Sequence, residues 1–203
     1  MSHAKVTKIL VVFYSRYGNT ARMAEEIAYG AVTLKRIADD IPMEVVSKDP
    51  SWSKMVENLN NRIPTTPIED IMHELPRHHA IIFGSPTRFG NMAAPMNALL
   101  DMTSDLWMKG SLIGKVGAVF TSAASVHGGQ ETTAVSMMFP MLHHGMIIVG
   151  VPYSVPELIG SGSPYGPSRI VGSLSTKKIE EADIKVAQAL GKRVAEISRK
   201  LSS

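Results

Sequence analysis

The chain has 203 residues, of which 44% are hydrophobic and 19% charged, a composition that is typical of one folded domain and excludes intrinsic disorder. It contains no cysteine, which excludes disulfides, thiolate catalysis and cysteine-based metal sites and favours a cytoplasmic protein. The net charge of +3 comes from interleaved acids and bases, and no apolar run is long enough to span a membrane, so we expect neither a nucleic-acid partner nor a membrane span.

The first half of the chain begins with an apolar segment followed by a helical pattern. Residues 6–14 are rich in Val and Ile, which predicts a strand buried on both faces. Apolar residues then recur three and four positions apart and predict a helix after Thr20; they are Ala24, Ile27, Ala28, Ala31 and Leu34. A second strand is predicted over 42–47. Residues 48–67 are expected to form an insertion with at most one short helix.

The second half repeats the alternation of strand and helix. Further strands are predicted over 80–85, 115–120 and 145–150. Further helices are predicted near 68–76, 92–104 and 130–144, with a last helix that begins near Thr176. Residues 152–172 are rich in Gly, Pro and Ser and are expected to form a second insertion.

Five strand–helix units favour the α/β class, with a doubly wound parallel sheet, and we expect residues 1–203 to form a single domain. Ligands of such sheets bind at the carboxyl ends of the strands. The segments that follow the first, third and fourth strands are all rich in Gly, Ser, Thr or Asn. The seven His residues show no convincing zinc spacing, so no metal site is expected.

The turn after the first strand has the pattern of a phosphate-binding site. It carries hydroxyls at Ser15 and Thr20, a glycine at Gly18, and the beginning of a helix. Because it contains no lysine and no second glycine, it matches neither a nucleoside-triphosphate loop nor a dinucleotide fingerprint. This favours the single phosphate of a mononucleotide. An ordinary strand–helix turn is the alternative interpretation.

The turn also resembles the fingerprint of flavodoxins, and three other segments make a closer match. Residues 83–92, 142–146 and 162–166 are similar to the characteristic segments of the WrbA family of NAD(P)H:quinone oxidoreductases. The resemblance implies a flavodoxin-like, five-stranded sheet in the order 2-1-3-4-5 with helices on both faces. It also implies bound FMN, ping-pong two-electron hydride transfer from NAD(P)H through FMN to a quinone, and a homotetramer, with a dimer as the alternative.

The resemblance assigns site residues position by position. The ribityl phosphate would be held by Ser15, Arg16, Tyr17, Gly18, Asn19 and Thr20. One side of the isoalloxazine would be contacted by Pro86, Thr87, Arg88, Phe89 and Gly90, and the other by Ser122, Ala123, Ala124, Ser125, Val126 and His127. The loop after the fourth strand is one residue longer than the family pattern and has fewer glycines, which leaves the contacts at 123–127 open. Tyr17 and Trp107 match positions that contact the nicotinamide nucleotide.

Two residues are candidates for catalytic roles. The resemblance brings His143 to the flavin from a neighbouring subunit or from the cleft wall, where an imidazole could polarise a quinone oxygen or donate a proton. Arg88 could stabilise an anionic reduced ring. A packing histidine at a helix end and a surface salt bridge are the respective alternatives.

Two other functions remain open for the whole chain. A flavodoxin-type carrier of single electrons is usually strongly acidic, whereas this chain is slightly basic. A non-catalytic interaction protein would use the fold as a scaffold, but no docking motif is visible in the sequence.

Overall fold

The computed structural model describes residues 7–28, 32–39, 41–173, 175 and 177–202. Its strands are β1 (Ile9–Phe13), β2 (Thr33–Ile37), β3 (Thr65–Thr66), β4 (Ala80–Arg88), β5 (Asn91–Met92), β6 (Val116–Ala123), β7 (Ile147–Ile148) and β8 (Ser168–Ile170). Its α-helices are α1 (Asn19–Ile27), α2 (Met43–Val46), α3 (Pro50–Arg62), α4 (Ile68–Glu74), α5 (Ala94–Asp101), α6 (Ser104–Met108), α7 (Gln130–His143) and α8 (Glu181–Leu201). Within these residues, no helix is both long and apolar enough to cross a membrane.

The strands form one largely parallel sheet in the order β3-β2-β1-β4-β6-β7. The five strands β2, β1, β4, β6 and β7 follow the predicted order 2-1-3-4-5, so the flavodoxin-like α/β class is confirmed. The sheet is larger than predicted, because β3 extends one edge and β8 pairs with the carboxyl half of β6. The short strand β5 returns antiparallel along β4.

Each face of the sheet is covered by its own apolar core. Alternate side chains of β1 point to opposite faces, as the two-residue period of a strand requires. Val11 and Phe13 pack with α1 and α8, whereas Leu10 and Val12 pack with α4, α5 and α7. The apolar run at the start of the chain is therefore a strand buried on both faces, as its composition predicted.

The predicted second strand over 42–47 is wrong. Residues 43–46 form the short helix α2, in which only Val46 is buried. The second strand is instead β2, which includes Leu34, a residue that the periodicity placed in the preceding helix. The polar residues of β2 interrupt the apolar pattern by which a buried strand is recognised. One of them, Arg36, is buried because it donates hydrogen bonds to the carbonyl of Ile63 and the side chain of Asn60. Ala31 lies outside the described residues.

The segment 48–67 contains more helix than predicted. α3 runs for 13 residues, because Pro50 occupies its first turn and the Asp49 carboxylate accepts the N–H groups of Ser51 and Trp52 at 2.9 and 3.2 Å. The segment 152–172 likewise contains a 3₁₀ helix at Pro156–Ile159 and β8. The division into one domain with two insertions stays a prediction.

The later element boundaries also shift. β4 and β6 extend farther toward their carboxyl ends than predicted, whereas β7 is limited to two residues. The last helix begins at Glu181, where Glu180 and Asp183 form a reciprocal capping box. The predicted start, Thr176, lies outside the described residues.

The contact of the loop before β8 with β6 provides a test of this packing. A Cβ at Gly166 would lie 2.0 Å from the carbonyl oxygen of Val119 in β6, whereas a Cβ at Gly160 in the same loop would meet no atom within 4 Å. We expect Gly166→Ala to lower the free energy of unfolding by about 2–3 kcal/mol, because the strand backbone cannot yield. Gly160→Ala should change it by less than about 0.5 kcal/mol. Urea denaturation measures both, and equal effects would contradict this packing.

Candidate functional site

The loops after β1, β4 and β6 meet at one edge of the sheet. Parallel pairing places Phe13 beside Gly84 and Gly84 beside Phe120, so the three central strands reach this edge together. A cavity of about 130 Å³, which we call the central pocket, lies between the loops. Its predicted lining residues are Ser15, Arg16, Tyr17, Asn19, Thr20, Pro86, Thr87, Arg88, Ser122, Ala123 and Ala124.

The turn between β1 and α1 presents hydrogen-bond donors to the central pocket. Gly18 immediately precedes the helix with a φ of 81°, a left-handed conformation that favours glycine, and it has no side chain with which to cap the helix. The Ala21 N–H donates to Ser15 Oγ at 3.2 Å. The N–H groups of Asn19 and Thr20 have no acceptor among the described residues. They are the free donors of a helix N-terminus, which attracts anions.

Hydroxyl groups complete this donor set. Thr20 Oγ1 and Ser122 Oγ lie 3.0 Å apart, which joins the first turn to the end of β6. That hydrogen bond uses the proton of only one of the two hydroxyls. The Ser15 hydroxyl accepts the hydrogen bond from Ala21, so its own proton remains available for donation. Among the described residues, no carboxylate lines the pocket. N–H and O–H donors without an opposing acid fit the phosphate of FMN.

The side chain of Arg16 is held against β2 by two residues that the sequence did not suggest. The Tyr14 hydroxyl donates to Asp39 Oδ2 at 2.7 Å, and Arg16 Nε donates to the Tyr14 oxygen at 3.0 Å and lies 3.4 Å from Asp39 Oδ2. Burial beside the Asp39 carboxylate raises the pKa of Tyr14, so its hydroxyl stays protonated. The guanidinium also lies 5.9 Å from the ring centre of Trp52.

The contacts with Tyr14 and Asp39 also stabilise the charged form of Arg16. Burial acts to lower the pKa of Arg16, but Tyr14 and Asp39 outweigh that effect and raise it. Asp39 is thus the ion-pair partner of this guanidinium. Arg16 lines the central pocket, and its direct contact with a phosphate stays a prediction.

The loops after β4 and β6 are fastened to each other beside the pocket. The Thr133 hydroxyl in α7 donates to Thr87 Oγ1 at 2.8 Å. Gly129, with a φ of 92°, packs so closely that its missing Cβ would lie 2.7 Å from the Cα of Gly90. The relative position of the two loops is therefore set by direct backbone contact.

Arg88, the last residue of β4, lines the central pocket, and Phe89, the next residue along the chain, is not among the lining residues. Arg88 Nη1 donates to the carbonyl of Thr87 at 2.8 Å, and most of the guanidinium donors have no acceptor among the described residues. Phe89 has a φ of 54° and a fully exposed ring. A non-glycine residue in this conformation is uncommon, and such strain concentrates at functional sites. The segment thus carries a cation at the pocket and an exposed aromatic ring on the following residue.

Other predicted site residues lie elsewhere. Val126 and His127 line a separate polar pocket near α8. His143 and Trp107 line a groove of about 430 Å³ between α5, α6 and α7. His143 is absent from the lining of the central pocket. The structure therefore does not place this histidine in the cleft wall of its own chain. The sequence also missed two lining residues of the central pocket, Val171 and Ser175, which come from the loop before α8 and carry no motif.

His144, the neighbour of His143, is engaged in packing. Its Nε2 lies 2.8 Å from the hydroxyl of Thr103, and the side chain is buried. Burial lowers the pKa of His144, and the charge of His143 lowers it further, so the imidazole is neutral at physiological pH.

The chain is similar to known redox proteins over nearly its whole length. Residues 7–157 match the NADPH-dependent FMN reductase family. An NAD(P)H dehydrogenase (quinone) of Archaeoglobus fulgidus is 46% identical over 97% of this chain and 100% of its own length. One of Aromatoleum aromaticum is 44% identical over 96% of this chain and 97% of its own.

A solved structure shows the same architecture. A flavodoxin, WrbA-like protein from Agrobacterium tumefaciens superimposes with a TM-score of 0.66 and 26% identity, over 96% of this chain and 99% of that protein. The match extends through both segments that the sequence suggested as insertions.

Proposed function

Because the chain belongs to the NADPH-dependent FMN reductase family, we propose that it is a WrbA-like NAD(P)H:quinone oxidoreductase that uses FMN. The observation that carries the proposal is the donor set of the central pocket, which suits one phosphate and which shares its lining with the cation Arg88. Relatives named as quinone dehydrogenases share about 45% of their residues with this chain. When bound, FMN accepts a hydride from NAD(P)H and transfers two electrons to a quinone.

The central pocket would bind the FMN phosphate. The N–H groups of Asn19 and Thr20 and the hydroxyls of Ser15 and Ser122 would donate to its oxygens. Arg16 would add positive charge from its fixed position beside Asp39. These groups are in place before binding, so little conformational entropy is lost when the phosphate arrives.

The loops after β4 and β6 would flank the flavin ring. Residues 86–90 would lie along one side, with the Arg88 guanidinium available to stabilise negative charge at any physiological pH. Phe89 would cover a ring or a substrate with its exposed face. Residues 122–127 would lie on the other side, and Tyr17 would contact the nicotinamide nucleotide at the edge of the pocket.

We further propose a homotetramer in which His143 and Trp107 complete the site of a neighbouring subunit. Trp107 is 56%, Phe139 59% and Leu142 57% exposed on the surface formed by α6 and α7. Large apolar side chains clustered in this way mark interaction surfaces. A smaller assembly, the dimer, would use part of the same surface.

The oxidoreductase proposal predicts a yellow protein with one FMN per chain and NAD(P)H oxidation that depends on benzoquinone. His143→Ala should lower kcat/KM for benzoquinone about 100-fold through loss of a proton donor. His73→Ala, which removes an exposed imidazole from α4, should leave it unchanged. Stopped-flow and steady-state absorbance measure these rates. A colourless protein, or NAD(P)H oxidation indifferent to quinone, would contradict the proposal.

The assembly proposal predicts that Phe139→Glu weakens self-association at least about tenfold, because a buried carboxylate loses its hydration. Ile159→Glu places the same charge on another apolar residue, 83% exposed and outside this surface, and should leave the assembly intact. Size-exclusion chromatography with light scattering measures the mass. A monomeric parent protein, or equal effects of the two substitutions, would argue against this interface.

A further inference from the structure

A strongly basic depression lies on the other side of the phosphate turn. It is formed by α1, α3 and the segment before α8, has a volume of about 650 Å³, and is called the basic groove below. Its cationic lining residues are Arg22, Lys54, Arg62, Arg169 and Lys178. Among the described residues, no Asp or Glu lines it. Tyr17 and Asn19 line both the groove and the central pocket, so the two sites are adjacent.

The cations of the groove are only partly neutralised. Arg22 pairs with Glu26 at 2.7 Å, and Arg62 pairs with Glu25 at 2.6 Å. Within the described part of the chain, Lys54, Arg169 and Lys178 form no ion pair. Three positive charges of the groove therefore lack an ion-pair partner in the part of the chain that the structure describes, and one of them is buried.

Arg169 is the buried charge. It is only 3% exposed, and β8 holds its backbone beside Ser122 at the carboxyl end of β6. Its Nη2 donates to the carbonyl of Lys177, but its Nε has no hydrogen-bond partner among the described residues. An unpaired buried guanidinium is costly unless an anion accompanies it.

The acidic residues near Arg169 do not supply the anionic partner that its buried guanidinium lacks. Burial lowers the pKa of Arg169; Asp183 opposes that effect, Arg22 adds to it, and Glu180 again opposes it. Asp183 is engaged elsewhere, because it accepts hydrogen bonds from the Ser161 hydroxyl and the Glu180 N–H. A dianion that enters the groove would pair with Arg169 together with the exposed cations Lys54 and Lys178.

The groove suits a phosphate that is attached to a larger molecule. Met55, Leu59 and Ile179 give it an apolar wall, and the half-exposed ring of Tyr17 lies at its border with the central pocket. We propose that the basic groove binds a phosphate monoester, supplied by the 2′-phosphate of NADPH. The identity of this donor rests on the proposed function, whereas the anion site rests on the groove alone.

Isothermal titration calorimetry of the FMN-loaded protein tests the proposal. The probe 2′,5′-ADP should bind at least about tenfold more tightly than 5′-ADP, which lacks the 2′-phosphate, and added KCl should weaken it. Arg169→Gln should weaken 2′,5′-ADP about tenfold, by removing charge-assisted hydrogen bonds. Lys54→Gln, on the exposed face of α3, should weaken it a few-fold. Lys192→Gln removes an exposed charge from α8 outside the groove and should change nothing.

Thermal unfolding separates a ligand site from a structural role of Arg169. In buffer without phosphate, Arg169→Gln should melt no lower than the parent, but it should lose the increase in Tm that 2′,5′-ADP gives the parent. A lower Tm with the ligand response retained would overturn the proposal, as would equal affinity for the two nucleotides. Inorganic phosphate binding as tightly as 2′,5′-ADP would contradict NADPH as the source.

The calorimetric affinity and the Tm do not depend on turnover. A protein that binds 2′,5′-ADP through Arg169 but fails to reduce quinones would refute only the oxidoreductase proposal. A quinone reductase whose nucleotide affinity is indifferent to Arg169→Gln would refute only the groove. The ratio of KM for NADPH to KM for NADH should rise about tenfold in Arg169→Gln, and an unchanged ratio would count against NADPH as the donor.

Discussion

Parallel pairing of β1, β4 and β6 at one level is the constraint from which the site follows. Since Phe13, Gly84 and Phe120 lie side by side, the chain leaves all three strands at the same edge. Gly84 permits this arrangement, because a Cβ there would lie 2.0 Å from the ring of Phe120. The Thr20–Ser122 hydroxyl pair then spans from the first loop to the third, across the end of β4.

Charge is distributed unequally around this edge. In the central pocket, Arg16 is tied to Asp39, and Arg88 is the second lining cation; the donors at the N-terminus of α1 are backbone N–H groups and hydroxyls. Such donors are fixed by the fold and require no mobile side chain to be ordered when an anion binds. In the basic groove the balance is reversed, since Arg169 and Lys54 have no acidic partner among the described residues. The proposed site for the FMN phosphate thus lies beside a groove that is lined by side-chain cations.

Local pattern was sufficient for much of the fold and insufficient for the contacts between distant segments. The apolar run of β1 and the hydroxyl-rich turn after it are local features, and they predicted the first strand and the turn that leads into α1. The sequence did not predict β2, because its residue Arg36 is buried through contacts with the end of α3. Hydrophobic periodicity does not reveal such contacts. The sequence also did not predict the roles of Asp39 and Arg169. Asp39 contacts Tyr14, which is distant in sequence, and Arg169 contacts the carbonyl of Lys177 in a loop that carries no motif.

We propose that the N-terminus of α1 and its neighbouring hydroxyls bind the phosphate of FMN. The most direct test compares the affinity of the flavin-free protein for FMN and for riboflavin, which has the same ring but no phosphate, by quenching of flavin fluorescence. Several charge-assisted hydrogen bonds would be missing with riboflavin, so FMN should bind at least about 100-fold more tightly. Equal affinity for the two flavins would contradict the account.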